Sequence, residues 1–288
     1  MKCWLVFSIS ACLLSASVFA EEPAASEPAG SIGIAADELL DSPVKAPQPW
    51  LRPAAGTDPK LAPLLTRWVR ASQEVRSLEA RLDRIVYDHV FNIEQRWEGS
   101  YVLLPDGWRL ELMPVEMPRG AVSSRVDRSG RRYTFLPAVA ETWVLTSEKV
   151  VWVDPEHKVW RSLSSRGNLA GWLLFCSQWN LPPSVIPFAS GACEEDVRSR
   201  FCFESVKETE SEVQLTARPL TMSEASWCSR VSVILDARTL ATKAVQIVRP
   251  GEHEETVYVL HDVKLNEATE RKAESLVPDR TGYRVTEH

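Results

Sequence analysis

The stretch Phe91-Asn92-Ile93-Glu94-Gln95-Arg96-Trp97-Glu98-Gly99-Ser100-Tyr101-Val102-Leu103 decides the fold. Phe91, Ile93, Gln95, Trp97, Gly99, Tyr101 and Leu103 alternate with Asn92, Glu94, Arg96, Glu98 and Ser100. A period of two with one greasy and one wet side marks an antiparallel strand that meets solvent on one face. Pro105-Asp106-Gly107 turns the chain. Trp108, Leu110 and Leu112 then alternate with Arg109 and Glu111, which completes a hairpin in pattern.

Toward the C-terminus the same period recurs. Strands are expected at Thr142–Thr146, Lys149–Val153 and Lys158–Leu163, with turns at Ser147-Glu148 and Asp154-Pro155-Glu156-His157. Further strands are expected at Arg200–Lys207, Glu212–Pro219, Ser229–Asp236, Thr242–Arg249 and from Glu255 to Leu265. Between these groups the β period breaks. Leu169, Trp172, Leu173, Phe175 and Cys176 read as a short apolar helix that stops before Pro182-Pro183, and Val185-Ile186-Pro187-Phe188 is a second short apolar piece. Residues 114–132 carry Arg119, Arg125, Arg128, Arg131 and Arg132 and read as a solvated basic loop. The functional alternative is a docking patch for an acidic partner. No repeat of solenoid period is present.

Toward the N-terminus, Leu61, Leu64, Leu65, Trp68, Val69 and Val75 recur at helical spacing, with Pro63 near the start, where proline is tolerated. Residues 21–60 are rich in Pro, Ala, Ser, Glu and Gly and read as a linker that buries too little apolar area to order itself. The domain is therefore placed at 61–268, with a loose polar tail at 269–288.

Residues 1–20 read as a secretory signal: Lys2, an uncharged run from Cys3 to Phe19, and Val18-Phe19-Ala20 before Glu21-Glu22. The run is shorter than the roughly 20 apolar residues of a membrane anchor and is interrupted by serines. Ile9-Ser10-Ala11-Cys12 is a competing lipobox, which would anchor the chain through Cys12. The expected location is periplasmic or secreted. Loss of Lys2 with the signal moves the formal charge from −6 to −7. An acidic chain has no general attraction to nucleic acid or anionic membrane, and no later stretch is long and apolar enough to span a bilayer.

Four cysteines follow the signal: Cys176, Cys193, Cys202 and Cys228. An even number in an exported chain suggests disulfides, and four allow three pairings. Cys193 and Cys202 flank the polar loop Glu194–Arg200 and are candidates for a local bridge, which would leave Cys176 with Cys228. No pair has the C-x-x-C spacing of structural zinc sites. Every tryptophan but Trp4 lies beyond the signal, out of 11 in the chain. Indoles bring wide apolar area with one N–H to satisfy, so they mark either a large core or a binding surface.

No nucleophile elbow, zinc-protease motif, P-loop or dinucleotide fingerprint occurs. His253-Glu254 with His261 match no ligand spacing, and surface histidines are expected instead. Asp83 with Asp88, and Glu94 with Glu98, are the right residue type for acid–base work but are expected on a wet strand face. No catalytic residue, metal or cofactor is assigned.

The order of elements resembles a known family. A leading helix runs into Ser77–Asp83, followed by W-E-G-S-Y-V-L-L-P-D-G-W-R-L-E-L (Trp97–Leu112) and W-V-L-T-S-E-K-V-V-W-V-D-P-E-H-K-V-W-R-S-L (Trp143–Leu163). Gly99–Pro105 with Arg109, Lys149–Val159 with Asp154-Pro155, and Leu215–Pro219 resemble the strand motifs of the LolA family of lipoprotein carriers and its relatives of the RseB and LppX type. The resemblance runs from about Ala62 to Leu265. It implies an α+β fold: a strongly curved antiparallel half-barrel, here of about ten or eleven strands, with helices plugging the concave face. It also implies a non-enzymatic, monomeric binding or transport protein for lipid or lipoprotein acyl chains. Phe91, Ile93, Trp97, Trp108, Leu110, Leu112, Trp143 and Leu145 would line the cavity, and Trp172, Leu173 and Phe175 would supply the plug. The alternatives are an ordinary filled core, and an interaction or sensor module that meets an envelope protein. The long Pro-rich segment, the basic loop and the four cysteines depart from a minimal carrier.

Overall fold

The computed structural model describes residues 60–164, 198–267 and 270–287. Helix α1 spans Leu61–Gln73 and is followed by β1 (Leu78–Asp88), β2 (Ile93–Leu104), β3 (Gly107–Pro114), β4 (Val122–Val126), β5 (Arg132–Phe135), β6 (Glu141–Leu145), β7 (Lys149–Asp154) and β8 (Val159–Ser164). From residue 198 onward come β9 (Phe201–Glu208), β10 (Glu212–Pro219), β11 (Arg230–Asp236), β12 (Thr242–Val248), β13 (Glu254–Leu265) and β14 (Arg284–Glu287). The fourteen strands of the described residues belong to one sheet, in the order β14-β8-β7-β6-β3-β2-β1-β13-β12-β11-β10-β9, with β4 and β5 to one side of this path. Pairing is antiparallel except at β14–β8 and β2–β5.

The path is a meander cut open. β13, the last strand of the run β9–β13, returns to pair with β1 along the length of both strands, from Leu78↔Leu265 to Asp88↔Glu254. The connection from β8 to β9 therefore leaves near one end of the sheet and returns at the other. Short antiparallel hairpins make most of the remaining joins, which is why the period of two is so legible.

The sheet bends around its apolar face. A flat sheet would place β9 about 24 Å from β1, five strand spacings away. The C-terminal end of α1 is tied to the end of β13: Asn266 Nδ2 donates to the Glu74 carbonyl, and Asn266 Oδ1 accepts from the Arg76 N–H. Yet Trp68, on the same short helix, packs edge-on against Phe203 of β9 with ring centroids 6.2 Å apart. Leu61, Leu64, Leu65 and Trp68 of α1 are buried in the same cluster as side chains from both wings of the sheet, so the helix covers part of the concave face. Gly99 permits close approach at the bend: a Cβ there would lie 1.8 Å from the Glu111 carbonyl oxygen.

Three regions differ from the sequence reading. β1 escapes that reading, because Arg84 interrupts its inner apolar file while Ile85 and Tyr87 add apolar groups to its outer side. The basic segment is not a free loop. Its strands β4 and β5 pair with each other, and β5 pairs with the start of β2. The tail is not loose either. Ala273 and Leu276 are buried, and β14 adds to the sheet beside β8. Leu276 joins Leu104, Val144, Val151, Val153 and Trp160 in a second, smaller core on the outer face. Gly107 is required there, since a Cβ would sit 2.7 Å from that of Ala273 and 2.0 Å from the Leu145 carbonyl oxygen.

Candidate functional site on the concave face

Register fixes which side chains share the concave face. Arg84 of β1 lies opposite Tyr258 of β13 and Trp97 of β2, and Trp97 lies opposite Pro114 of β3. Two residues along, Leu82, Gly99, Leu112 and Glu141 form the next row, followed by Ala80, Tyr101, Leu110, Trp143 and Trp152. The last row holds Leu78, Leu103, Trp108, Leu145, Val150 and Leu163. The face is thus graded along the strands, purely apolar at one end and charged toward the other.

Of the expected lining residues, Trp97, Trp108, Leu110, Leu112, Trp143 and Leu145 stand together on this face. Ile93 shares it by register, opposite Asp88 at the end of β1. Phe91 does not. It sits in the β1–β2 turn and is 72% exposed, because Asp88 Oδ1 accepts from the Val90 and Phe91 N–H groups and folds the turn outward. Trp172, Leu173 and Phe175 lie outside the described residues.

The sequence reading misses the polar members of the face. The Arg84 guanidinium donates to Glu141 Oε1 across two intervening strands, and Trp143 Nε1 donates to Glu141 Oε2 at 2.9 Å. Arg84 also lies 4.6 Å from the centre of the Trp97 ring and 5.9 Å from that of Tyr258. Burial works against its charge, but Tyr258 and Glu141 outweigh that and hold it protonated. Trp97 Nε1 is bonded to the Val139 carbonyl, so this indole is satisfied. In contrast, Arg84 Nε, Tyr101 Oη and Trp108 Nε1 are buried with no hydrogen-bond partner among the described residues. Burial pushes the Tyr101 phenol far above its ordinary value, so it stays protonated. A long alternation broken by Arg84 is the only available signal for the first of these. For Tyr101 and Trp108 no sequence signal tells a satisfied ring from an unsatisfied one.

The histidines and carboxylates singled out above have other partners. His261 Nε2 pairs with Asp83 at 2.9 Å on the outer surface, and Glu254 pairs with Arg249. Glu94 is fully buried beside Arg96, whereas Glu98 is exposed. Among the described residues no group of three or more His, Cys, Asp or Glu side chains is arranged to hold a metal ion. Among the described residues Cys202 and Cys228 are free thiols and form no bridge with each other. Cys202 alternates with the inward Phe201 and Phe203, while Cys228 is buried in the concave core, where burial pushes its thiol up to about 12. Cys176 and Cys193 lie outside the described residues.

No protein-family model matches the chain, and no curated protein matches it. Solved structures do resemble it. An uncharacterized conserved protein from Thermus thermophilus is 9% identical, with 79% of this chain and 99% of that one covered and a TM-score of 0.43. MucB is 11% identical, with 78% of this chain and 65% of MucB covered and a TM-score of 0.39. A LolA superfamily protein from Nitrosomonas europaea is 10% identical, with 75% and 97% covered and a TM-score of 0.30. The chain is similar to each of these over three quarters or more of its length. No helix among the described residues is long and apolar enough to cross a membrane.

Proposed function

We propose that this chain is a non-enzymatic carrier that takes up acyl chains of a lipid or lipoprotein on its concave face, outside the cytoplasm. One observation carries the reading: Trp97, Trp108, Trp143 and Trp152 stand on four strands that follow one another through β2, β3, β6 and β7, all on one face. The rings of Trp143 and Trp152 are 6.1 Å apart and tilted, and the next row along holds Trp108, Leu145, Val150 and Leu163. Each acyl methylene buried on such a surface contributes about 0.8 kcal/mol, so a greasy groove binds a lipid without any catalytic group.

An interaction or sensor role for an envelope partner is the second reading. It is favoured by the exposed apolar side chains Val90, Phe91, Val122 and Leu136, which lie around the β1–β2 turn and the β4–β5 hairpin.

Native mass spectrometry of the protein purified from the periplasm, with organic extraction, separates the two. A co-purified acyl species that is lost in Trp97→Arg is the expected result. A clean apo mass, together with no uptake of a fluorescent fatty acid, would sink the carrier reading and leave the partner reading.

A further inference from the structure

Folded proteins seldom leave buried polar atoms unpaired, because an unmet donor costs more than a made bond gains. Three such atoms lie on three adjacent strands of the concave face: Arg84 Nε on β1, Tyr101 Oη on β2 and Trp108 Nε1 on β3. Tyr101 is 7% exposed and Trp108 6%. Tyr101 lies opposite Leu110, and Trp108 lies opposite Leu103, so the two rings are diagonal neighbours on paired strands. Such neighbours have backbones about 7–8 Å apart, within reach of one another for aromatic side chains. Arg84 stands apart from this pair, two rows from Tyr101 and three from Trp108, beyond the row of Leu82, Gly99 and Leu112.

The chemistry of the set is one-sided. An indole N–H and a guanidinium only donate, and a phenol held protonated by burial donates readily. A hydrocarbon offers these groups nothing. An acyl carbonyl or carboxylate oxygen offers lone pairs. The outer face also holds unmet atoms among the described residues, Glu94 Oε2, Arg109 Nε and Trp160 Nε1, but these are an acceptor, a guanidinium nitrogen and one indole on separate strands, not two uncharged donors on paired ones.

We infer that the concave face selects acyl ligands by their oxygen: Tyr101 and Trp108 donate to the carbonyl or carboxylate at the head of the chain, while the tail crosses the apolar end of the face over Leu145, Val150 and Leu163. This rests on the carrier reading above and names what that carrier distinguishes. The oxygen can come from a free fatty acid or from the ester of a lipid or lipoprotein.

The test uses dodecanoate, methyl dodecanoate and n-tridecane as competitors of the neutral fluorophore N-phenyl-1-naphthylamine bound to the whole protein. Both oxygen-bearing ligands are expected to bind about ten-fold more tightly than tridecane. Tyr101→Phe should remove most of that preference while leaving tridecane unchanged, and Trp108→Phe should remove most of it while also weakening tridecane, since the indole is part of the apolar surface. Dodecanoate stronger than its ester points to fatty acid, and equal binding points to acyl esters; both support the inference. Tridecane binding as tightly as the ester, with both variants silent, would overturn it and leave the carrier reading intact. No binding of the fluorophore or of any competitor would overturn the carrier reading itself. Tyr101→Phe deletes one oxygen from an otherwise identical ring, so a folding failure is not expected to obscure the result; thermal unfolding of both variants checks this.

Discussion

Two regions of one sheet, the concave face and the outer face near β4 and β5, differ in how their polar groups are paired. On the concave face, a few charged and polar atoms stand among indoles and leucines, and three donors are left unmet among the described residues. On the outer face near β4 and β5, polar groups are densely paired. Arg125 grips both oxygens of Glu255 at 2.7 Å and lies 4.1 Å from the centre of the Tyr87 ring. Tyr133, buried on β5, packs edge-on against Tyr87 at 5.3 Å and is bonded to His89 Nδ1. The lesson concerns the arginines. Five of them in a short segment suggest a surface for an acidic partner, but Arg125, Arg128 and Arg131 are already matched by Glu255, Glu252 and Asp127. The outer hairpin is a closed structural device. Unmet polar atoms remain on both faces, with Glu94 Oε2, Arg109 Nε and Trp160 Nε1 on the outer one; what sets the concave face apart among the described residues is two uncharged donors, Tyr101 and Trp108, on paired strands.

The comparison is broken most directly at the buried pair. Arg84→Met leaves Glu141 buried without its counter-charge and should cost about 4 kcal/mol in chemical denaturation. Arg84→Met combined with Glu141→Leu should recover most of that loss, since an apolar replacement of both partners is often neutral. If the double variant stays as weak as the single one, the pair does more than neutralise itself. Gly99→Ala is next. Its Cβ meets the Glu111 carbonyl at the bend, and a loss of about 3 kcal/mol or more is expected in the thermal melt.

The outer face should yield less. Arg125→Ala is expected to cost about 1.5 kcal/mol, allowing for the solvent that reaches Arg125. The same variant tests a pH dependence. Burial raises the Glu255 carboxyl, but the Arg125 and Gln246 hydrogen bonds outweigh it and hold the group below its ordinary value. A depressed carboxylate contributes stability that is present above about pH 4.3 and is lost as the pH falls through its folded value. Asp127 extends that loss: the Ser129 hydroxyl first, then the Arg131 and Ser129 N–H groups, hold it at about 2. Stability measured from pH 5 down to about 2 should therefore fall, and the upper part of that fall should be shallower in Arg125→Ala. The smallest effect is expected at Arg128→Ala. Its side chain is 93% exposed against Glu252, and the change should stay below about 0.5 kcal/mol in the same melts.

Much of the architecture is legible because hairpins repeat a period of two. The strands from Trp97 to Leu112, from Thr142 to Leu163 and from Glu212 to Leu265 stand where alternation places them, and α1 stands at its helical spacing. β1 is hidden although it is the centre of the sheet, because a charged side chain in the inner file spoils the alternation that identifies a strand. β4 and β5 are hidden because short polar strands carry no amphipathic signal of their own. The tail is hidden because Ala273 and Leu276 are two apolar residues in a charged segment, and only contact with Trp160 and Val144 makes Leu276 core.

By itself, then, the sequence determined a β-rich chain with one apolar face, the indoles on that face, and a leading helix with an apolar stripe. These follow from the order of residues along one strand or helix, where geometry is local. Tertiary structure alone decided that β13 closes against β1, that Arg84 reaches Glu141 over two strands, and that Tyr101 and Trp108 bring unmet donors to one face. Those facts depend on residues far apart in sequence brought together by the curvature of the sheet, and no local pattern encodes which buried polar atom will find a partner.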